Sequence, residues 1–270
     1  MSRILTRLFS RKAPARARST AGRLIYAIGD VHGRLDLLDP LLGSILPEAL
    51  AHTGPEAPML VFLGDYVDRG PDSAGVIERV LGLQASGELE VRTLKGNHEE
   101  ALLAFLEDPA FGPLWFEHGG GTTLASYGVP PPAIRSDLAA WSQTRDAFAK
   151  ALPASHLSFC QALELMVCVG DYVFVHAGVR PGVALDRQNE KDLLWIRGEF
   201  LQAKSGFGKV VVHGHTPTET PQVTTSRIGL DTGAYATGTL SAVRLLDADC
   251  RIIQHSRATA RPQTGTREPV

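Results

Sequence analysis

Between Arg23 and Leu106 the chain repeats one pattern three times: an apolar run, a glycine-rich polar loop, then apolar residues at helical spacing. "RLIYAI" ends in GDVHG at residues 29–33, and Leu35, Leu38, Leu41, Leu42 and Ile45 follow. "MLVFL" (59–63) ends in GDYVDRGP, where Pro71 and Asp72 mark a helix start before Val76, Ile77, Val80 and Leu81. "LEVRTL" (89–94) ends in GNHEE, ahead of Leu102, Leu103 and Leu106. Strand, loop and helix in regular alternation predict an α/β fold with parallel strands. In such folds ligands bind beyond the carboxyl ends of the strands, and all three polar loops lie there.

Residues 108–160 break the pattern. They carry "HGGGT", "VPPP" and helical stretches around Trp141 and Phe148, and read as an inserted helical lobe or lid. Strand-like runs return in "LELMVCV", "YVFVHAG", "KVVVHGHTP", "RIGLDTGA", "TLSAVRLL" and "RIIQHS" with hairpin-like spacing. The expectation is a sheet-rich α/β domain over residues 23–256, with two packed sheets and helices outside.

The ends differ in composition. No acid precedes Asp30, whereas Arg3, Arg7, Arg11, Lys12, Arg16, Arg18 and Arg23 are basic, so residues 1–22 read as a disordered basic arm. Ile4, Leu5, Leu8 and Phe9 would share one face of a short helix, which allows a weak membrane-surface contact. Residues 257–270 read as a second polar, disordered tail. No apolar run is long enough to cross a bilayer. The net charge of −2 gives no push toward nucleic acid, and no nucleic-acid partner is expected. Cys160, Cys168 and Cys250 form no CxxC pair, which excludes a zinc ribbon and fits a reduced, cytoplasmic setting.

Ligand-type residues gather at the strand ends: Asp30 and His32, Asp65 and Asp68, Asn97 and His98, His176, His213 and His215. Asp, His and Asn donors without cysteine suit divalent Mn, Fe or Zn. A carboxylate can bridge two such ions, and two ions can clamp the attacking and leaving oxygens of a displacement at phosphorus. A tight turn around a satisfied histidine accounts for any single loop. It does not account for five loops of one kind after five apolar runs. His213 and His215 alternate on one putative strand and so should share a face, one of them as a packed second histidine.

GDVHG, GDYVDRGP, GNHEE, HAG and GHTP, in this order, resemble the phosphoprotein phosphatase family of metallophosphoesterases, most of all its bacterial and phage serine/threonine phosphatases. The resemblance runs from about Arg23 to residue 246 and includes "LLWIR" and "LDTGA". It implies a calcineurin-like β-sandwich of mixed sheets flanked by helices. It implies Asp30 and His32 on a first metal, Asp65 bridging, and Asn97, His176 and His215 on a second. The metals would be two divalent ions, manganese by resemblance, with iron or zinc able to take the same ligands. The implied reaction is in-line attack of dimetal-bound hydroxide on phosphoserine or phosphothreonine in phosphorylated protein substrates. His98 would be the general acid and Asp68 would orient it, while Arg69 and Arg197 bind phosphate. Arg180 is a weaker phosphate candidate, and Tyr235 suits the cleft or the core equally.

Two other readings are open at this stage. One is a symmetrical dinucleoside tetraphosphate hydrolase, a branch that typically lacks the acid of VDRG and reads GNHD and GHW where this chain has Asp68, Glu99 and GHTP. The other is a non-catalytic phosphoprotein-binding scaffold, which would be expected to have lost a ligand or the acid; none is missing.

Overall fold

A computed structural model describes residues 18–257. The repeated pattern folds as read: β1 (Ile25–Ile28), α1 (Leu35–Ala51), β2 (Met59–Phe62), α2 (Ser73–Ser86), β3 (Glu90–Thr93) and α3 (Asn97–Glu107). The three strands pair in parallel, Ile25 opposite Met59 and Met59 opposite Glu90. α2 starts where its cap predicts, the Asp72 carboxylate accepting the Gly75 amide at 2.8 Å. In the stretch expected to be helical lie α4 (Gly112–Trp115), α5 (Gly121–Ser126), α6 (Leu138–Ala151) and α7 (Ala154–Gln161).

The second half adds β4 (Met166–Val169), β5 (Tyr172–Val175), α8 (Glu190–Trp195), α9 (Gly198–Gln202), β6 (Val210–His213), β7 (Gln222–Val223), β8 (Arg227–Gly229), α10 (Ala234–Thr237), β9 (Thr239–Leu246) and β10 (Asp249–Ser256). Two sheets result, ordered β10-β9-β1-β2-β3 and β4-β5-β6-β8-β7. Both are mixed. β9 runs antiparallel to β1, and β5, β6 and β8 run parallel between antiparallel edges. This is the expected sandwich of mixed sheets flanked by helices.

Alternation along the strands explains the layers. Ile25, Ala27, Met59 and Val61 point to the second sheet and meet Phe174, Val212 and Ile228. Tyr26, Ile28, Leu60 and Phe62 point the other way, under α1 and α2 with Leu38, Leu41, Ile77 and Val80. Val173, Val175 and Val211 are covered by Leu193 from α8, Phe200 from α9 and Ile196 between them. Strands buried on both faces read as unbroken apolar runs, as seen in the sequence.

The basic arm expected over residues 1–22 falls outside the described residues as far as residue 17, as does the tail beyond residue 257. The last part of that arm is held in place. Ser19 Oγ and the amides of Thr20 and Gly22 donate to Asp247 Oδ1 at 2.8, 3.1 and 3.1 Å, and Ser19 N donates to Asp171. Asp247, at φ 47 in the β9–β10 turn, aims its carboxylate at this strip, so residues 18–22 are fixed where composition alone suggests disorder.

Candidate metal centre

Every loop with ligand-type residues leaves the carboxyl end of a strand on the seam between the sheets. Asp30 and His32 follow β1, Asp65 and Asp68 follow β2, and Asn97 and His98 open α3 after β3. His176 follows β5 and His215 follows β6. All of these side chains are buried. The loops are tightly wound: His32, Asp65, Asp68, Arg69 and His215 all have positive φ, five of seven such non-glycine residues among those described. That conformation costs about 1–3 kcal/mol per residue and persists where the surroundings impose it.

Asp65 sits in the middle. Its carboxylate is 3.5 Å from His32 Nε2, 3.5 Å from His176 Nε2 and 4.0 Å from His98 Nε2. Two groups of donors share it: His32, Asp65 and His98, and Asp65, His176 and His215. Asn97 Oδ1 joins the second, 2.9 Å from His176 Nε2 and 2.8 Å from His215 Nδ1. Asp30, expected as a ligand, belongs to neither group: its carboxylate accepts the His215 amide at 2.9 Å.

The donor chemistry fits cations. His32 Nδ1 donates to the Val67 carbonyl and His176 Nδ1 to the Leu63 carbonyl, both at 2.9 Å. Each ring is thereby fixed with the Nε2 lone pair facing the centre, the arrangement of a metal-binding histidine. Burial pushes His32 down to about 3 and His215 down to about 2, so both rings stay neutral. Burial, then the charges of Asp231 and Asp65, push the Asp30 carboxyl well above its ordinary range. Burial opposes the charge on Asp65 too, but the histidines beside it, His176 and His98 first, hold its carboxyl low. A buried knot of carboxylates and lone pairs of this kind can hold two cations.

His98 differs from its neighbours. Its Nδ1 donates to Asp68 Oδ2 at 2.6 Å. Burial works against its charge, yet Asp65 and then Asp68 raise its pKa above the ordinary histidine value. The centre thus contains one imidazole favoured as a cation beside others held neutral.

An arginine stands on each side. Arg69 Nη1 is 3.0 Å from His32 Nε2, and its guanidinium lies 4.7 Å over the Tyr235 ring. Arg197 Nε donates to His215 Nε2 at 3.0 Å. Tyr235 therefore lines the cleft, edge-on to His32. Arg180 is occupied elsewhere: Nε and Nη2 each reach Asp192 at 2.7 Å, and Nη1 pairs with Glu199.

His213 and His215 do not share a face. β6 ends at His213 and the chain turns at Gly214, which sends His215 to the centre. His213 stays behind, its Nδ1 on the Gly214 carbonyl and its ring against Phe200, with no bond to any candidate ligand.

Three buried residues of the site had no role assigned from sequence. Glu99 accepts the amides of Asp65, Tyr66, Val67 and Gly96 at 2.8–3.2 Å and so binds the β2 loop to the start of α3. Trp115 Nε1 and Thr123 Oγ1 donate to Asp68 at 2.9 and 2.6 Å. Glu99, the first glutamate of GNHEE, stands out in the sequence only as a departure from another motif. Nothing in the spacing connects Trp115 or Thr123 to Asp68.

A family model for calcineurin-like phosphoesterases matches residues 23–247. The chain is 25% identical over 242 residues to an asymmetrical bis(5'-nucleosyl)-tetraphosphatase PrpE of Anoxybacillus flavithermus, covering 82% of this chain and 90% of the relative. Among solved structures it resembles a candidate diadenosine tetraphosphatase at 20% identity and TM-score 0.61, with 90% of this chain and 100% of the other covered. It also resembles a protein serine/threonine phosphatase from Saccharomyces cerevisiae at 15% identity and TM-score 0.56, with 88% and 81% covered. Both structural likenesses support the fold.

Proposed function

This chain belongs to the calcineurin-like phosphoesterase family, and from that premise we propose that it removes phosphate from phosphoserine and phosphothreonine in proteins. It is a metallophosphoesterase, a hydrolase with donor groups for two metal ions. The observation that carries the finer reading is the buried pair of His98 and Asp68, 2.6 Å apart. A serine or threonine alkoxide is a strong base and departs poorly unless protonated. An acid in position accelerates such a step by about 10²–10⁴-fold. A nucleotide phosphate leaves as a weak base and has much less use for one.

In this reading Asp30, His32 and Asp65 would hold one ion, and Asp65, Asn97, His176 and His215 the other. Bound there, divalent ions would supply Lewis acidity at phosphorus and a water acidic enough to ionise near neutral pH. Manganese is the ion we propose, with iron and zinc as competitors for the same donors. Arg69 and Arg197, on opposite sides of the centre, would hold the phosphate oxygens by charge-assisted hydrogen bonds. His98, its pKa raised by Asp65 and Asp68, would give its Nε2 proton to the leaving oxygen as the P–O bond breaks. The free thiols Cys160, Cys168 and Cys250 are compatible with a reducing compartment, and we place the enzyme in the cytoplasm. No described helix is long and apolar enough to cross a membrane.

A second reading, a dinucleoside tetraphosphate hydrolase, is favoured by the name of the PrpE relative, which covers 82% of the chain. That relative is named asymmetrical, so the reading now concerns asymmetrical cleavage in place of the symmetrical kind considered from sequence. Phosphate release by the manganese-loaded protein from phosphoserine and phosphothreonine peptides, run beside diadenosine tetraphosphate, decides between the two. Turnover of peptides with little nucleotide cleavage is expected. The reverse result would assign the nucleotide reaction.

A further inference from the structure

The helical stretch after α3 does more than cover the sheet. Asp68, the partner of His98, is fully buried. Its Oδ2 is shared between His98 Nδ1 at 2.6 Å and Trp115 Nε1 at 2.9 Å. Its Oδ1 accepts the Thr123 hydroxyl at 2.6 Å, and its own amide donates back to Thr123 Oγ1 at 2.8 Å and to Ser73 Oγ at 3.1 Å. A threonine hydroxyl has one proton. Spent on Asp68 Oδ1, it leaves Thr123 to accept from the Asp68 amide and from Ser73, 3.0 Å away. The directions of all these bonds are therefore consistent. The next residue is held as well, Arg69 N donating to the Gly119 carbonyl at 3.2 Å.

Trp115 is itself rigid. Its indole stacks on Phe105 with centroids 4.9 Å apart, and Phe105 lies on α3, the helix that opens with Asn97 and His98. Acid, carboxylate and brace thus form one closed ring of contacts: α3, His98, Asp68, Trp115, Phe105 and back to α3. A carboxylate torsion is broad when unsupported. Here both oxygens are fixed from the helical stretch.

We propose that Trp115 and Thr123 are positioning residues that hold the Asp68 carboxylate where it aims His98 at the leaving oxygen. This rests on the acid role given to His98 above. In the step itself a water oxygen bonds to phosphorus, giving up a proton to solvent, as the P–O bond to the leaving group breaks; the electron pair of the broken bond goes to the leaving oxygen, which takes the Nε2 proton of His98. The neutral imidazole is then reprotonated from solvent water.

The test compares Thr123→Val, Thr123→Ser, Trp115→Phe and His98→Asn in the manganese-loaded enzyme. Each is assayed on a phosphoserine peptide and on an aryl phosphate with a good leaving group. Thr123→Val is expected to lower kcat on the peptide about tenfold, a part of the span available to a general acid, and on the aryl phosphate by no more than about twofold. KM and metal content should not move, and Thr123→Ser should restore kcat. Trp115→Phe keeps an aromatic ring against Phe105 but removes the N–H together with part of the buried indole, and should show the same selectivity. It serves as the independent variant if Thr123→Val fails to fold. Equal losses on both substrates, or no recovery in Thr123→Ser, would overturn the proposal. If His98→Asn itself shows equal losses on both, the acid role falls and the brace falls with it. Selective loss in His98→Asn without selective loss in the brace variants defeats the brace alone.

Discussion

His32 and His98 lie with ring centroids 4.7 Å apart, yet their surroundings shift their pKa values in opposite directions. His32 donates only to a backbone carbonyl, and burial takes it down to about 3. His98 has Asp65 and Asp68 beside it, and their charges outweigh the same burial. Neighbouring groups pushed apart in this way take different tasks, a lone-pair donor and a proton donor. Asp65 belongs to both sides, because it contacts each candidate ion group. Asp65→Asn should therefore weaken both ions together, by more than the 10-fold that is about the least lost with even an outer partner of a ligand. Metal titration with elemental analysis checks this, and an unchanged stoichiometry would remove Asp65 from the bridging position.

At the scale of elements, the site depends on backbones that nearly touch. Gly64, at φ 100 in the turn after β2, faces the Gly96 amide before α3, and a Cβ there would lie 2.7 Å from that nitrogen. Gly64→Ala should cost about 1–3 kcal/mol through backbone strain alone. It should also push Asp65 away from Asn97. The urea midpoint and the metal affinity should fall together; a variant with both intact would mean that the two loops can separate freely. This closeness shows what sequence can and cannot reveal. The strand–loop–helix order, the parallel pairing and the loops bearing Asp30, His32, Asp65, Asn97, His98 and His176 were legible because each loop directly follows an apolar run. His213 and His215 were wrongly given a common face because strand alternation was carried past the end of β6 at His213. Trp115, Thr123 and Glu99 act by reaching across the fold, Trp115 over 47 residues to Asp68, and a local pattern carries no trace of that.

Across the whole molecule the centre lies between sheets that otherwise meet through apolar side chains. Asp30, His32, Asp65 and Asn97 come from one sheet, His176 and His215 from the other. Ions bound by both sets would join the two layers and stabilise the native state by mass action. Removing them with a chelator should lower Tm by roughly 10 °C, since each kcal/mol is worth about 2–4 °C at this size. A melting curve that ignores the chelator would show that the apolar core holds the layers together unaided.

The burial of those ligands has a kinetic side. Asp65, His176 and His215 are at most 4% exposed. An ion seated among them would meet solvent only through the cleft beside Arg69, Arg197 and Tyr235, the same opening the phosphate must use. A bound phosphate would then slow the exchange of the ions beneath it. Substrate supply would decide how long a captured metal stays, and so which ion the working enzyme carries.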